Sequence, residues 1–323
     1  MTLFIKRFFV FISLPLILII ITDGFLRQKN TLYKEKLQGL IHDKEIVEII
    51  ILGNSHANYG VDPTAFDMHA YNIANVNQSI YFDKRILLSH LEELKNLKYV
   101  LISADYHSLY FSSQGIRDTW AYYDTGVRYK NKNYLFEDIS PTLFGYTPKT
   151  ILSLYKREIN FNLNGDNIVV DFPVQKGVSL YDTIRKGFIG FEGSNLSTFN
   201  DVAYHNESKK FNRVIEKSTE SLDIEKDLRE LLAILKNRNI IPILFTSPTF
   251  VEYNKYLNPD FVKRNQNNFE QISKDYNIPY WNFMNSELFN QGDFFDHDHL
   301  NKKGAYKFGK ILNDSIIKIS PQE

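Results

Sequence analysis

Ser55 stands directly after a β-branched, aliphatic run, in Ile49-Ile50-Ile51-Leu52-Gly53-Asn54-Ser55-His56. Near the other end of the chain lies Phe295-Asp296-His297-Asp298-His299-Leu300-Asn301. A hydroxyl, an imidazole and a carboxylate are the minimum set for acyl transfer through a covalent serine ester. Gly53 allows a sharp turn after the strand, which lifts Ser55 clear of a sheet and lets its own N–H face a developing oxyanion. The motif is not the Gly-x-Ser-x-Gly elbow, because residue 57 is Ala. Asp296 and His299 are three apart, a spacing that in a tight turn brings two side chains to the same side. The carboxylate can then accept the Nδ1 proton and leave Nε2 to take the serine proton. Asp298 is a rival for that carboxylate role. Two other readings stay open: Ser55 as a helix cap above a merely polar loop, and a divalent-metal site made of Asp296, His297, Asp298 and His299.

These residues need a scaffold that brings them together. Residues 45–52 form a nearly continuous apolar run, as in a central parallel strand. Further strands are expected at 70–74, 99–104, 240–246 and 278–283. Between them the periodicity predicts helices over 83–98, with Asp83 as N-cap, and over 221–237, 258–276 and 302–319. In the last of these, Tyr306, Phe308, Ile311, Leu312 and Ile316 are available to pack. Strands alternating with helices argue for a parallel sheet covered on both faces, with the site at the carboxyl ends of the strands. Gly53 to His56, Asp105 to His107 and Thr246 to Pro248 would meet at that edge. His42, His69, His90 and His205 are weaker candidates.

From about 111 to 210 the alternation stops. This stretch is rich in Tyr, Phe, Asn and Gly and too long for one structureless loop. It reads as an insertion with short elements of its own. Its aromatics and their neighbours, among them Tyr106, Tyr110, Trp120, Tyr122 and Tyr123, suit stacking on sugar rings or ordinary core packing.

The bulk numbers narrow the function classes. Lys+Arg and Asp+Glu are both 38, so the charge balance does not point to a nucleic-acid partner. The absence of cysteine removes disulfides, thiolate metal sites and a cysteine nucleophile. At the N-terminus, Lys6 and Arg7 precede an apolar run from Phe8 to Thr22, extendable by Phe4, Ile5, Phe25 and Leu26. Basic residues on that side favour a cytoplasmic N-terminus and an exported remainder. No small-x-small cleavage site follows, so an uncleaved signal anchor over 1–29 is preferred to a cleaved signal peptide. A single α/β domain over 30–323, carrying the insertion, completes the organisation.

Gly53-Asn54-Ser55 together with Asp296-His297-Asp298-His299 resembles the SGNH (GDSL-type) hydrolase superfamily. The continuation His299-Leu300-Asn301-x-x-Gly304 is similar to a membrane-anchored branch that serves cell-envelope polysaccharides. The resemblance spans roughly 45–105 and 220–320. It implies a three-layer α/β/α sandwich, Ser55 as nucleophile, His299 as base, Asp296 as orienter, and no cofactor. It also implies a glycan or polysaccharide substrate and, for a transferase, a membrane-bound O-acyltransferase partner. In the superfamily a glycine and an asparagine on two intervening loops add oxyanion donors. Here those loops read Asn75-Val76-Asn77-Gln78-Ser79 and Ala104-Asp105-Tyr106-His107, so Asn77, Gln78, Asp105 and His107 are the candidates for oxyanion or substrate contacts. The expected function is extracytoplasmic acyl transfer, as O-acetyltransferase or esterase, on an envelope glycan. The alternative is a catalytically inactive glycan-binding or assembly subunit on the same scaffold.

Overall fold

Five short parallel strands carry the site. They are β1 Ile49–Leu52, β2 Ala70–Asn72, β3 Tyr99–Ser103, β4 Ile241–Thr246 and β5 Tyr280–Asn282. The computed structural model describes residues 2–28, 31–110, 116–127, 140, 142–143, 147–153, 155–156, 186–196, 203–206, 208–209, 212 and 222–320. The sheet order is β2-β1-β3-β4-β5, with every pairing parallel. The chain leaves β1 toward β2 on one side and returns to β3 on the other. The order therefore reverses between β1 and β3, and in open parallel sheets ligands bind at the carboxyl ends of the strands beside such a reversal.

The helices are α1 Thr2–Arg27, α2 Leu32–Asp43, α3 Ser55–Gly60, α4 Ile80–His90, α5 Ile116–Asp124, α6 Leu222–Asn237, α7 Val251–Asn254, α8 Pro259–Tyr276 and α9 Lys302–Ile319. Side chains alternate across a strand. Ile49, Ile51, Leu101, Ile243 and Phe245 accordingly share one buried layer with Ala57 of α3 and with Phe308, Leu312 and Ile316 of α9. Burying each such side chain in α9 is worth about 1.5–3 kcal/mol, and this layer seats the loop that precedes α9. The opposite layer holds α4, α6 and α8, whose apolar faces include Ile86, Leu231 and Phe269.

Two expectations need correction here. The helix expected over 83–98 runs over 80–90 instead, with Ser79 in the extended N-cap conformation. Asp83 is therefore inside the first turns and buried, so it is no cap. Tyr306, expected to pack, is 46% exposed, because it lies on the side of α9 opposite Phe308 and Leu312.

The chain divides into two compact units, Met1–Lys34 with Gly115–Pro173, and Glu35–Gln114 with Val174–Glu323. In the first, α1 spans 26 residues, about 39 Å at 1.5 Å per residue, longer than a hydrocarbon core of about 30 Å. Within Leu3–Arg27 an 18-residue window reaches a mean hydropathy of 2.4. By length and composition this helix can cross a membrane, and a signal sequence has the same properties. In the same unit Tyr33 and Tyr122 stack at 4.0 Å, and Lys34 Nζ lies 4.6 Å above the Trp120 ring. Trp120 and Tyr122 are buried, as are Tyr106 and Tyr110 in the second unit. Those four rings are core, not a sugar platform. Most of the expected 111–210 insertion lies outside the described residues.

Candidate active site

Gly53 makes the turn after β1 with φ +139°, a conformation that side chains disfavour. A Cβ there would stand 2.2 Å from Cβ of Ser103 on β3, so the position admits glycine alone. Asn54 then supplies the N-cap of α3, its Oδ1 accepting from the N–H of His56 at 2.9 Å. With Asn54 in that role, Ser55 is the first helical residue and not the cap. Its hydroxyl lies 2.9 Å from His299 Nε2.

The loop bearing His299 is held by its own backbone and by Asp296. Phe295 N–H donates to the carbonyl of His299 at 2.9 Å. Asp296 Oδ1 accepts from the N–H groups of Asp298 at 2.9 Å and His299 at 2.8 Å. The same carboxylate lies 3.1 and 3.2 Å from His299 Nδ1. Asp296, rather than Asp298, thus faces the imidazole. Burial disfavours a charged His299, but Asp296 and, behind it, Asp298 together outweigh it and raise the His299 pKa. Burial pushes Asp296 up, and the charge and hydrogen bond of His299 more than reverse that, leaving it lowered.

The Asn301 and Gly304 positions are structural. Asn301 Oδ1 caps α9 through the N–H of Gly304 at 2.9 Å. Its amide donates to the carbonyls of Gly193, Gly292 and Phe294 at 3.0–3.3 Å. A Cβ on Gly304 would stand 2.0 Å from the carbonyl oxygen of Asp293. Both residues lock the base of the His299 loop.

A second histidine lies behind the first. His56, 2% exposed, places Nε2 3.1 Å from Asp298 Oδ2 and Nδ1 3.4 Å from Asp105 Oδ1. Both are ion-pair contacts, and Nδ1 makes no hydrogen bond. Burial opposes charge on His56; Asp298 and Asp105 together outweigh it and hold its pKa well above the usual histidine value. Burial would raise Asp105, yet His56 brings it down to about 2. Asp298 is lowered for the same reason, the pull of His56 exceeding the effect of burial. Tyr106 Oη donates to Asp298 Oδ1 at 3.3 Å. The ring centroids of His56 and His299 are 5.4 Å apart. In the sequence His56 belongs to the expected sheet edge, and no residue near it in the chain marks Asp298 or Asp105 as its partner. Its position beside the nucleophile was the only available signal.

The expected oxyanion and substrate residues divide. Gln78 is a correction. Its amide donates to Asp83 Oδ1 at 2.6 Å and to the Ile73 carbonyl at 3.3 Å, and its backbone N–H donates to Asn75, so its donors serve the core. Asp105 is a second correction. It is fully buried and accepts from Ser103 and from the N–H of Ser247 at 2.9 Å, out of reach of a substrate. His107 is half-buried, with Nε2 3.1 Å from Asn54 Nδ2. An amide nitrogen only donates, so Nε2 accepts and the ring is neutral. Burial and the charge of His56 lower its pKa to about 4, in agreement. Asn77 is exposed and left-handed, φ 56°.

The metal alternative does not fit the donors. Asp296 serves His299, and the His297 ring packs on Tyr253 at 4.3 Å. Ligand atoms of His56, Asp298 and His299 do lie within 4.8 Å of one another. Yet Asp298 Oδ2 is bound to His56, and His299 Nε2 to Ser55. A cation would have to break both contacts.

No protein-family model and no curated protein matches the sequence. Similar solved structures include a carbohydrate acetylesterase from Sinorhizobium meliloti, at 8% identity and TM-score 0.38, covering 85% of this chain and 100% of that one. A psychrotrophic esterase from Pseudoalteromonas sp. has 16% identity and TM-score 0.36, covering 84% and 97%. An acetylxylan esterase from Geobacillus stearothermophilus, solved as a catalytic mutant, has 11% identity and TM-score 0.34, covering 85% and 94%. At such identities and scores the chemistry has to be read from the residues themselves.

Proposed function

We propose that this chain is a serine acyl-transfer enzyme of SGNH type, with Ser55 as nucleophile, His299 as general base and acid, and Asp296 as orienter. The observation that carries the reading is the continuous relay from Ser55 Oγ through both nitrogens of His299 to Asp296. As the Oγ–C bond forms on an ester carbonyl, Nε2 takes the hydroxyl proton and the carbonyl electrons move onto oxygen. The Ser55 N–H faces that oxyanion, and Asn77 is the remaining donor candidate. Collapse breaks the ester C–O bond, and Nε2 returns the proton to the departing alkoxide. Water or a sugar hydroxyl then gives its proton to Nε2 as it attacks the acyl carbonyl, and collapse breaks the acyl C–Oγ bond while Nε2 returns that proton to Ser55 Oγ. Water makes an esterase and a sugar an acyltransferase; both share every earlier step.

The substrate we favour is an acylated envelope glycan on the outer side of a membrane. Lys6 and Arg7 before α1 support that orientation, and the resemblance of the sequence motifs supports the glycan. For the transferase, the same resemblance implies a membrane-embedded acyl donor. The inactive glycan-binding reading draws on one observation, the commitment of Gln78 to the core, which leaves fewer oxyanion donors.

The full chain in detergent, treated with a fluorophosphonate probe, separates these readings. Labelling at Ser55 that vanishes in Ser55→Ala and weakens in His299→Ala is the expected result. An unlabelled chain that still retains glycan would favour the binding reading. Release of acetate from acetylated polysaccharide, with and without a sugar acceptor, then distinguishes hydrolysis from transfer.

A further inference from the structure

We propose that His56, held between Asp298 and Asp105, is a positioning residue that locks the His299 loop onto the Ser55 turn. This rests on the serine reading given above. Three segments meet at the site: the turn after β1, the residues after β3 and the loop before α9. Residues 296–299 fold on themselves through Asp296. The His297 carbonyl accepts from the N–H of Phe250 at 2.9 Å. Tyr106 Oη ties the loop to the residues after β3, donating to Asp298 at 3.3 Å, and among the described residues two polar side-chain links join the loop to the Ser55 turn itself. One is Ser55 to His299, a bond that must break and re-form in every turnover. The other is His56 to Asp298 at 3.1 Å, which takes no part in the chemistry. The nucleophile's neighbour thus grips the base's neighbour, and Asp105 ties the same ring to β3. A register held this way persists while the working bond is open, and a misplacement of about 1 Å there costs roughly 100-fold in rate.

The clamp is also a charge. His299 faces Asp296, Asp298 and His56, with the rings of Tyr59 and Phe191 alongside. His56 faces Asp105, Asp298, His107, His299 and Tyr106. Among these neighbours the His56 cation opposes protonation of His299, and the carboxylates favour it. Removing the cation alone must raise the proton affinity of His299 and move the acid limb of the reaction to higher pH.

The test is the pH dependence of fluorophosphonate labelling of the full chain in detergent. His56→Asn shortens the side chain away from Asp298, and His56→Gln keeps a donor in reach without the charge. Expected is labelling about 10- to 100-fold slower in H56N, part of it recovered in H56Q, and an acid limb moved upward in both. A purely structural role would lower the melting temperature and leave the acid limb where it was, which overturns the proposal. So does H56N labelling at the unaltered rate. If the unaltered chain does not label at all, the serine reading itself fails and the clamp falls with it. Should H56N not fold, Asp298→Ala removes the same link from the other partner. Slower labelling with the limb moved to lower pH then supports the clamp, and an unchanged rate refutes it.

Discussion

Asp83 lies under the turn that presents Ser55, and its replacement by Asn should change stability in a pH-dependent way. Its Oδ1 accepts from the N–H of Gly53 at 3.0 Å and from Gln78 at 2.6 Å. Its Oδ2 is buried without a partner, the position of a carboxyl proton. Burial lifts its pKa from the ordinary 3.8 to about 7, the two hydrogen bonds offsetting only part of that. Below about pH 4 both the folded and the unfolded chain hold this proton, and the group takes nothing from stability. Between about 4 and 7 the unfolded chain ionises and the folded one does not, so stability falls as pH rises. At about 1.4 kcal/mol per pH unit, the gap between 3.8 and 7 amounts to about 4 kcal/mol by pH 8. Asn keeps the acceptor for Gly53 and Gln78 and cannot ionise. Asp83→Asn should therefore match the unaltered chain at pH 4 and exceed it at pH 8, by up to that amount. Denaturant melts of both chains in the same detergent, from pH 4 to 8, read the difference and cancel the other titrating groups. A difference that stays constant over this range, or a less stable variant at pH 8, would refute a neutral Asp83.

Three further outcomes follow from the same geometry. Gly53→Ala places a Cβ 2.2 Å from Ser103 at φ +139°, and should destabilise the fold by about 3 kcal/mol or more, read as a lowered denaturation midpoint. Asp296→Asn removes the charge that favours protonated His299 and leaves an amide able to donate where an acceptor is needed; labelling of Ser55 should slow by roughly 10³-fold or more, with little change in the circular dichroism of the chain. The base works only when neutral, and Asp296 raises the His299 pKa. Labelling should accordingly be full at alkaline pH and be lost as pH falls through a value above 6.5; an acid limb below 6.5 would count against the assignment.

Much of the scaffold was legible in the chain because its signals are local. The apolar runs at 49–52, 99–103 and 241–246 are strands, since each is buried on both faces and no polar residue interrupts it. Helix α9 begins and ends where its stripe does. The 83–98 helix was misplaced because Asp83 has the chemistry of a cap and the setting of a core residue. Its partner, the N–H of Gly53, is 30 positions away. The aromatics at 106–123 were ambiguous for a similar reason. Their spacing suits a stacking surface and a core equally, and the packing of Tyr122 on Tyr33 decided it.

The sequence by itself determined the kinds of atoms available: a serine after a glycine turn, a carboxylate three residues before a histidine, an apolar N-terminal helix and no thiol. Period and propensity are properties of neighbours, so they survive without a fold. Tertiary structure alone decided which carboxylate serves which imidazole. Asp296 and Asp298 are chemically identical and two residues apart, yet one turns to His299 and the other to His56. That division arises only when a turn and a loop 244 positions apart pack on the same sheet edge. Buried charges must each find a partner there, and the pairing that results is a property of the assembled site.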